Sequence, residues 1–241
     1  MQIKKFIPNT ITLMNLLCGS VGVIFALEGR PDIAFWLMLA AAVFDFCDGF
    51  AARLLHAYSD IGKELDSLSD LISFGLLPSV MLYGAMADAG APRWACFVPL
   101  LIAALSALRL AKFNLDERQH ESFLGLPTPA CAMVCGSLAY YVFVHPESRL
   151  AALCGETWFL PVLALGLGLL LVSEIPMFSM KFGKGAKPDV VTQVKRIAFL
   201  TVIVLIAATT AILRLNWSLI PLGAFLAYIL ENLLFLLYRP K

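Results

Sequence analysis

Charge is scarce in this sequence. Only 15% of its 241 residues are Asp, Glu, Lys or Arg and the net charge is +1, so overall charge says little about nucleic acid, and no nucleic-acid partner is expected. Histidine is scarcer still. His56, His120 and His145 fall in or beside the short polar stretches, where solvated side chains are the expected reading and a histidine metal centre is not. The six cysteines, Cys18, Cys47, Cys96, Cys131, Cys135 and Cys154, show no C-x-x-C spacing, which makes them small buried hydrophobes; a bridge between Cys96 and Cys154 is the alternative. Repeats and low-complexity segments are missing as well. No cleaved leader is expected: Pro8-Asn9 interrupts the basic start, Leu17 is too large to precede a cleaved cysteine, and the apolar stretch is long enough to span a bilayer.

Apolar residues are present in quantity. They make up 60% of the chain and give a mean hydropathy of +0.84, above the roughly half-apolar usage of soluble domains. The few charges cluster between long apolar runs, so the expectation is an all-α polytopic membrane protein. Windows of about 20 residues predict eight spans at 9–28, 32–55, 62–86, 92–114, 126–145, 158–177, 195–213 and 217–238. The whole of 1–241 reads as one membrane domain: an interfacial segment over 1–8, a catalytic core over 9–145 and C-terminal helices over 146–241. Of the eighteen Lys and Arg, only Arg30, Arg93, Arg149 and Arg214 fall on one side of this arrangement. The other fourteen place both termini in the cytoplasm.

Four aspartates break the apolar pattern. Asp45 and Asp48 are three apart on the second predicted helix; Gly62, Asp66 and Asp70 follow at intervals of four on the third. Each set lines one helical face. A carboxylate at membrane depth costs several kcal/mol, roughly, unless it is partnered. A short linker predicts a helical hairpin that brings all four to one site, where like charges need a cation between them. Hard oxygen ligands suit Mg²⁺ or Mn²⁺. Gly49, Ala52 and Gly62 permit close approach of backbone or ligand, and Arg53, one turn past Gly49, can pair with a phosphate. Metal, arginine and a narrow cleft are the parts of a phosphoryl-type transfer site. Arg109, alone in an apolar run, is a second candidate anion ligand, and Lys181 a weaker one.

The pattern Asp-x2-Asp-Gly-x2-Ala-Arg-x8-Gly-x3-Asp-x3-Asp over residues 45–70 resembles, at all eight fixed positions, the signature of the CDP-alcohol phosphotransferase family. The resemblance implies that family's helical membrane fold, a homodimer, two bound divalent ions and release of CMP. Pro8-Asn9-Thr10-Ile11-Thr12, Asn15-Leu16-Leu17-Cys18-Gly19, Ser73-Phe74-Gly75, residues 109–114, 123–130 and 173–176 are similar to the family's phosphatidylserine synthase branch; Lys112 departs from that branch's more usual arginine. This implies CDP-diacylglycerol and L-serine as substrates in the inner membrane. On that resemblance Asp45, Asp48, Asp66 and Asp70 hold metal, Asp70 also acts as general base, and Asp45, Gly49, Ala52, Arg53, Gly62 and Asp66 bind the CDP moiety. Arg109 and Lys181 are then ligands for phosphate or the serine carboxylate. Two other readings remain open at this point: the same chemistry with glycerol 3-phosphate or inositol phosphate as acceptor, and a cation transporter using intramembrane carboxylates.

Overall fold

The computed structural model describes residues 3–115, 123–178 and 190–237. Helix α1 (Ile3–Leu27) is followed by α2 (Pro31–Leu54) and α3 (Asp60–Asp70). A π-helical turn, Leu71–Leu76, carries α3 without a break into α4 (Leu77–Asp88). After α5 (Arg93–Cys96) and a 3₁₀ turn, Val98–Leu100, come α6 (Leu101–Leu115), α7 (Thr128–Val144), α8 (Arg149–Gly155), α9 (Phe159–Val172), α10 (Val190–Ile212) and α11 (Leu219–Leu237). The described strands are two residues each, β1 (Phe123–Leu124) and β2 (Pro176–Met177), paired antiparallel.

All eight predicted apolar windows are helical, but six, not eight, among the described residues are long and apolar enough to cross a bilayer unaided. The window at 126–145 yields a 17-residue helix followed by a 111° bend into α8, and the one at 158–177 yields only 14 helical residues. At 1.5 Å per residue α9 is about 21 Å long, short of the ~30 Å hydrocarbon core. Its C-terminal end is replaced by the extended segment that pairs β2 with β1. The segment before the first predicted span is helical as well. Helix α1 already runs from Ile3, with Pro8 inside it; a proline this early removes one hydrogen bond without ending the helix.

The stretch Asp60–Asp88 is one continuous helix of 29 residues, about 44 Å long. That exceeds the hydrocarbon core, and the end that protrudes is the polar one, where Asp60, Lys63 and Glu64 lie. The metal-type carboxylates of α3 therefore sit near a membrane boundary.

Helix α7 lies at the centre. Every residue from Ala130 to Ala139 is buried, as expected of a helix apolar on all sides. It packs against α2, α4 and α11. Around it Phe35, Met38, Phe74, Leu77, Met81 and Ile102 are fully buried. Large apolar side chains cover the outside instead of charges: Val43, Phe46, Phe50 and Val204 are each more than half exposed, a surface suited to acyl chains. All six cysteines are free thiols, Cys96 and Cys154 included, so the alternative of a bridge between them is not realised.

Two glycines set the packing that matters for the site. At Gly19 a Cβ would stand 2.8 Å from Ser73 Cα, so α1 lies directly on the π-helical turn that follows Asp70. Gly125 has φ +76° and opens the loop into α7; a Cβ there would meet the carbonyls of Leu171 at 2.6 Å and Ser173 at 2.7 Å. Gly125→Ala combines a left-handed backbone with a clash against fixed carbonyls. It should cost about 2–5 kcal/mol, measured as a fall in the thermal unfolding midpoint in detergent; an unchanged midpoint contradicts this account of the turn.

Candidate active site

Asp45, Asp48 and Asp66 converge: each offers one carboxylate oxygen, and the three oxygens lie within 4.8 Å of one another. Asp45 and Asp48 come from the last turns of α2, and Asp66 from the middle of α3. Two unit charges at this separation repel by about 3–4 kcal/mol at an effective dielectric of ~20. Asp48 is 6% exposed and its Oδ2 has no hydrogen-bond partner. An orphaned carboxylate oxygen inside a carboxylate triad is what a hard divalent cation satisfies. Ligand oxygens in trans around one octahedral Mg²⁺ stand about 4.2 Å apart, so the spacing here fits a single ion after slight closure, or a pair of ions.

Asp70 is not one of the three. It lies one turn beyond Asp66, half-buried, accepts a hydrogen bond from Asn15 Nδ2 at 3.5 Å, and is within electrostatic reach of Asp45, Asp66 and Arg109.

Beside the triad is a cavity of about 230 Å³. Asp48, Gly49 and Ala52 form one wall, and Gly62, Lys63 and Asp66 another. Pro8, Asn9 and Thr12 of α1 form a third, and Ala57, Tyr58 and Ser59 close one end. The short linker joins α2 to the continuous helix Asp60–Asp88, which α2 meets at the π-helical turn and α4 more than at α3; α1 lies against both α2 and α3.

The glycines serve this cavity in different ways. A Cβ on Gly49 would meet nothing within 4 Å, so its lack of a side chain keeps cavity volume free. A Cβ on Gly62 would stand 3.0 Å from both Asn9 Oδ1 and Ser59 Oγ. Ser59 caps α3, its hydroxyl accepting from Gly62 N at 3.1 Å, which fixes where α3 starts and so where Asp66 points.

Arg53 stands apart from the cavity lining: it is exposed, and its Nε donates to Gly49 O on its own helix at 2.9 Å. Arg109 is only 7% exposed. It donates from Nη1 to Thr128 Oγ1 of α7 at 2.8 Å and lies 5.7 Å from the Phe113 ring centroid. It is thus inside the bundle near Asp70 and does not line the cavity. Lys181 lies outside the described residues.

Sequence reasoning missed the wall contributed by α1. The signal was present: Asn9, Thr12 and Asn15 recur every three residues in an otherwise apolar span, placing polar groups on one face where each is costly unless used. Ser69 Oγ and Ser73 Oγ donate to the backbone oxygens of Thr12 (3.2 Å) and Asn15 (3.0 Å), pinning this face to the α3 helix and the turn after it. A larger cavity, about 290 Å³, opens at the opposite end of α1 and α2 near Ala26, Pro31 and Asp88. It gathers no cluster of reactive side chains.

The model of the CDP-alcohol phosphatidyltransferase family matches residues 5–170, which include every element of this site. Over 184 residues the chain is 38% identical to a protein of Mycobacterium leprae (strain TN) named CDP-diacylglycerol--serine O-phosphatidyltransferase, covering 73% of this chain and 59% of that one. A protein of the same name from Bacillus subtilis (strain 168) is 35% identical over 136 residues, 56% of this chain and 76% of that one. An archaetidylserine synthase of Methanothermobacter thermautotrophicus (strain ATCC 29096 / DSM 1053 / JCM 10044 / NBRC 100330 / Delta H) is 34% identical over 143 residues, with 56% and 59% covered. The match thus spans about three fifths of the mycobacterial relatives' own length.

Proposed function

The chain belongs to the CDP-alcohol phosphatidyltransferase family, and from that premise we propose that it transfers the phosphatidyl group of CDP-diacylglycerol to the hydroxyl of L-serine, giving phosphatidylserine and CMP. The observation that carries this reading is the carboxylate triad of Asp45, Asp48 and Asp66 at the edge of a small cavity, with a fourth carboxylate, Asp70, one turn away. The names of the relatives favour serine as acceptor over glycerol 3-phosphate or inositol phosphate.

Asp45, Asp48 and Asp66 would hold Mg²⁺ or Mn²⁺, two ions in this reading. Bound there, the metal supplies the Lewis-acid charge that draws the diphosphate and stabilises the departing CMP. Gly49, Ala52 and Gly62 leave room for the cytidine, and Arg53, exposed one turn past Gly49, would turn its guanidinium to a phosphate. Asp70 takes the proton of the serine hydroxyl as its oxygen bonds to the lipid-bearing phosphorus. The bond from that phosphorus to the CMP oxygen breaks in the same in-line displacement, and CMP leaves as an anion. No covalent enzyme intermediate is required. Arg109 is the candidate for the acceptor's carboxylate, and Lys181 for a phosphate. The catalytic core is 9–145, since every residue with a role here except Lys181 falls within it.

The excess of Lys and Arg on one side supports a site and both termini facing the cytoplasm from the inner membrane. The family resemblance supports a homodimer.

Purified protein in lipid–detergent micelles, given CDP-diacylglycerol, Mn²⁺ or Mg²⁺ and labelled acceptor, should release CMP and form labelled phosphatidylserine with L-serine. CMP release that depends on glycerol 3-phosphate or inositol phosphate and not on serine overturns the choice of acceptor.

A further inference from the structure

Among the described residues seven buried side-chain polar atoms lack a hydrogen-bond partner. Three of them, Asn15 Oδ1, Ser106 Oγ and Arg109 Nε, belong to α1 and α6, two of the helices packed on the π-helical turn after Asp70. Asn15 and Ser106 are fully buried, and Arg109 is 7% exposed. Each unpartnered buried group costs about 1–3 kcal/mol, so three in one neighbourhood mark a place that a ligand or ordered water fills.

The polarity of the vacant groups is specific. Asn15 is held by Ser73, which donates to its backbone oxygen, and it commits Nδ2 to Asp70. Its Oδ1 is left as an acceptor. Arg109 commits Nη1 to Thr128, and its Nε is left as a charged donor. Asp70 touches the first and feels the field of the second. The surroundings of this carboxylate thus include an unused acceptor, on the residue that donates to it, and an unused cationic donor.

We infer that Asn15 and Arg109 are the two poles of an acceptor subsite for a zwitterionic amino alcohol. The substrate's ammonium donates to Asn15 Oδ1 and its carboxylate accepts from Arg109 Nε, which leaves its hydroxyl directed at Asp70. This rests on the serine reading above, in which Arg109 already takes the carboxylate, and adds to it Asn15 as the pole that recognises the ammonium. A phosphorylated alcohol has no use for the acceptor at Asn15, and it would bring two negative charges beside Asp70 against one buried arginine. Three fixed points of different polarity also make the subsite selective for one enantiomer.

The test compares three acceptors that differ by one group: L-serine, ethanolamine (no carboxylate) and 3-hydroxypropionate (no ammonium), with glycerol 3-phosphate as a fourth arm. In the unmodified protein each truncated acceptor should have a kcat/KM lower than serine's by about 10- to 100-fold, the worth of one charge-assisted hydrogen bond. Asn15→Leu should raise the KM for serine by a similar factor and leave the KM for CDP-diacylglycerol within about twofold. It should also erase the preference for serine over 3-hydroxypropionate while keeping that over ethanolamine. Arg109→Met should do the reverse. If either variant fails to accumulate in the membrane, Asn15→Ser and Arg109→Lys should shift the same ratios in the same directions.

Loss of kcat alone, or one common factor on all three acceptors, assigns these residues a structural or water-holding role and overturns the inference. Equal use of serine and 3-hydroxypropionate by the unmodified protein does the same without any variant. CMP release driven by glycerol 3-phosphate and not by serine is a different result, since it removes the proposed acceptor itself.

Discussion

Asp70→Asn should reduce turnover by about 10³-fold, within the usual range for a general base, while CDP-diacylglycerol still binds. A serine hydroxyl is a weak nucleophile, and the carboxylate within reach of it must take its proton as the oxygen–phosphorus bond forms. Asparagine has the same shape and can still receive the hydrogen bond from Asn15, but it cannot accept that proton. The triad of Asp45, Asp48 and Asp66 does not include Asp70, so divalent cation affinity should fall by about 10-fold at most, the lower end of what an outer-shell change costs. The measurement is paired: CMP release under saturating substrates, and Mn²⁺ binding followed by electron paramagnetic resonance. Unchanged turnover refutes the role of base. Loss of Mn²⁺ binding in step with turnover would instead make Asp70 a metal ligand first.

The converse pattern is expected at Asp48. This residue is buried, and its Oδ2 has no protein partner, so its charge is tolerated only where a cation or a proton meets it. Asp48→Ala should weaken Mn²⁺ binding by at least about 100-fold, the upper end of what losing even an outer-shell partner costs. Turnover should fall with it and recover in part at high Mn²⁺. The apo protein, by contrast, should not lose thermal stability, because the substitution removes repulsion from Asp66 and Asp45. Adding Mn²⁺ should then raise the unfolding midpoint of the unmodified protein and not of the variant. A variant that binds Mn²⁺ as tightly as the unmodified protein ends the triad's assignment as a cation site.

Much of this site was legible along the chain because its spacings are local. An aspartate pair three apart, and a glycine followed by aspartates at intervals of four, can face one way on a helix whatever surrounds it. The apolar windows likewise gave helices wherever they were predicted. Local pattern could not show that the window at 126–145 stops at Val144 and bends by 111° into α8, or that the one at 158–177 stops at Val172. The second of these ends depends on partners distant in sequence: β2 is held by β1, and Gly125 lies against the carbonyls that end α9.

Arg109 shows the same limit from the side of charge. A lone arginine in an apolar run announces a use, and sequence could offer phosphate, carboxylate or a membrane flank. Its burial against Thr128 and near Asp70 removes the flank and places it among the groups round the proposed base. Asn15 was legible only as one of three polar residues spaced along an apolar helix, α1. Its meaning came from the Asp70 carboxylate 55 positions away.

By itself, then, the sequence determined the membrane setting, the all-α class and the aspartates that belong together, since composition and helical period act within a few turns. Tertiary structure decided that α1 adds a third wall to the cavity between α2 and α3, that three aspartates converge while Asp70 stands next to them, and which buried polar atoms were left unpaired. The physical reason is that these depend on how closely two backbones approach, as α1 does at Gly19 and Ser73, and on electrostatic and hydrogen-bonding balance summed over several helices at once.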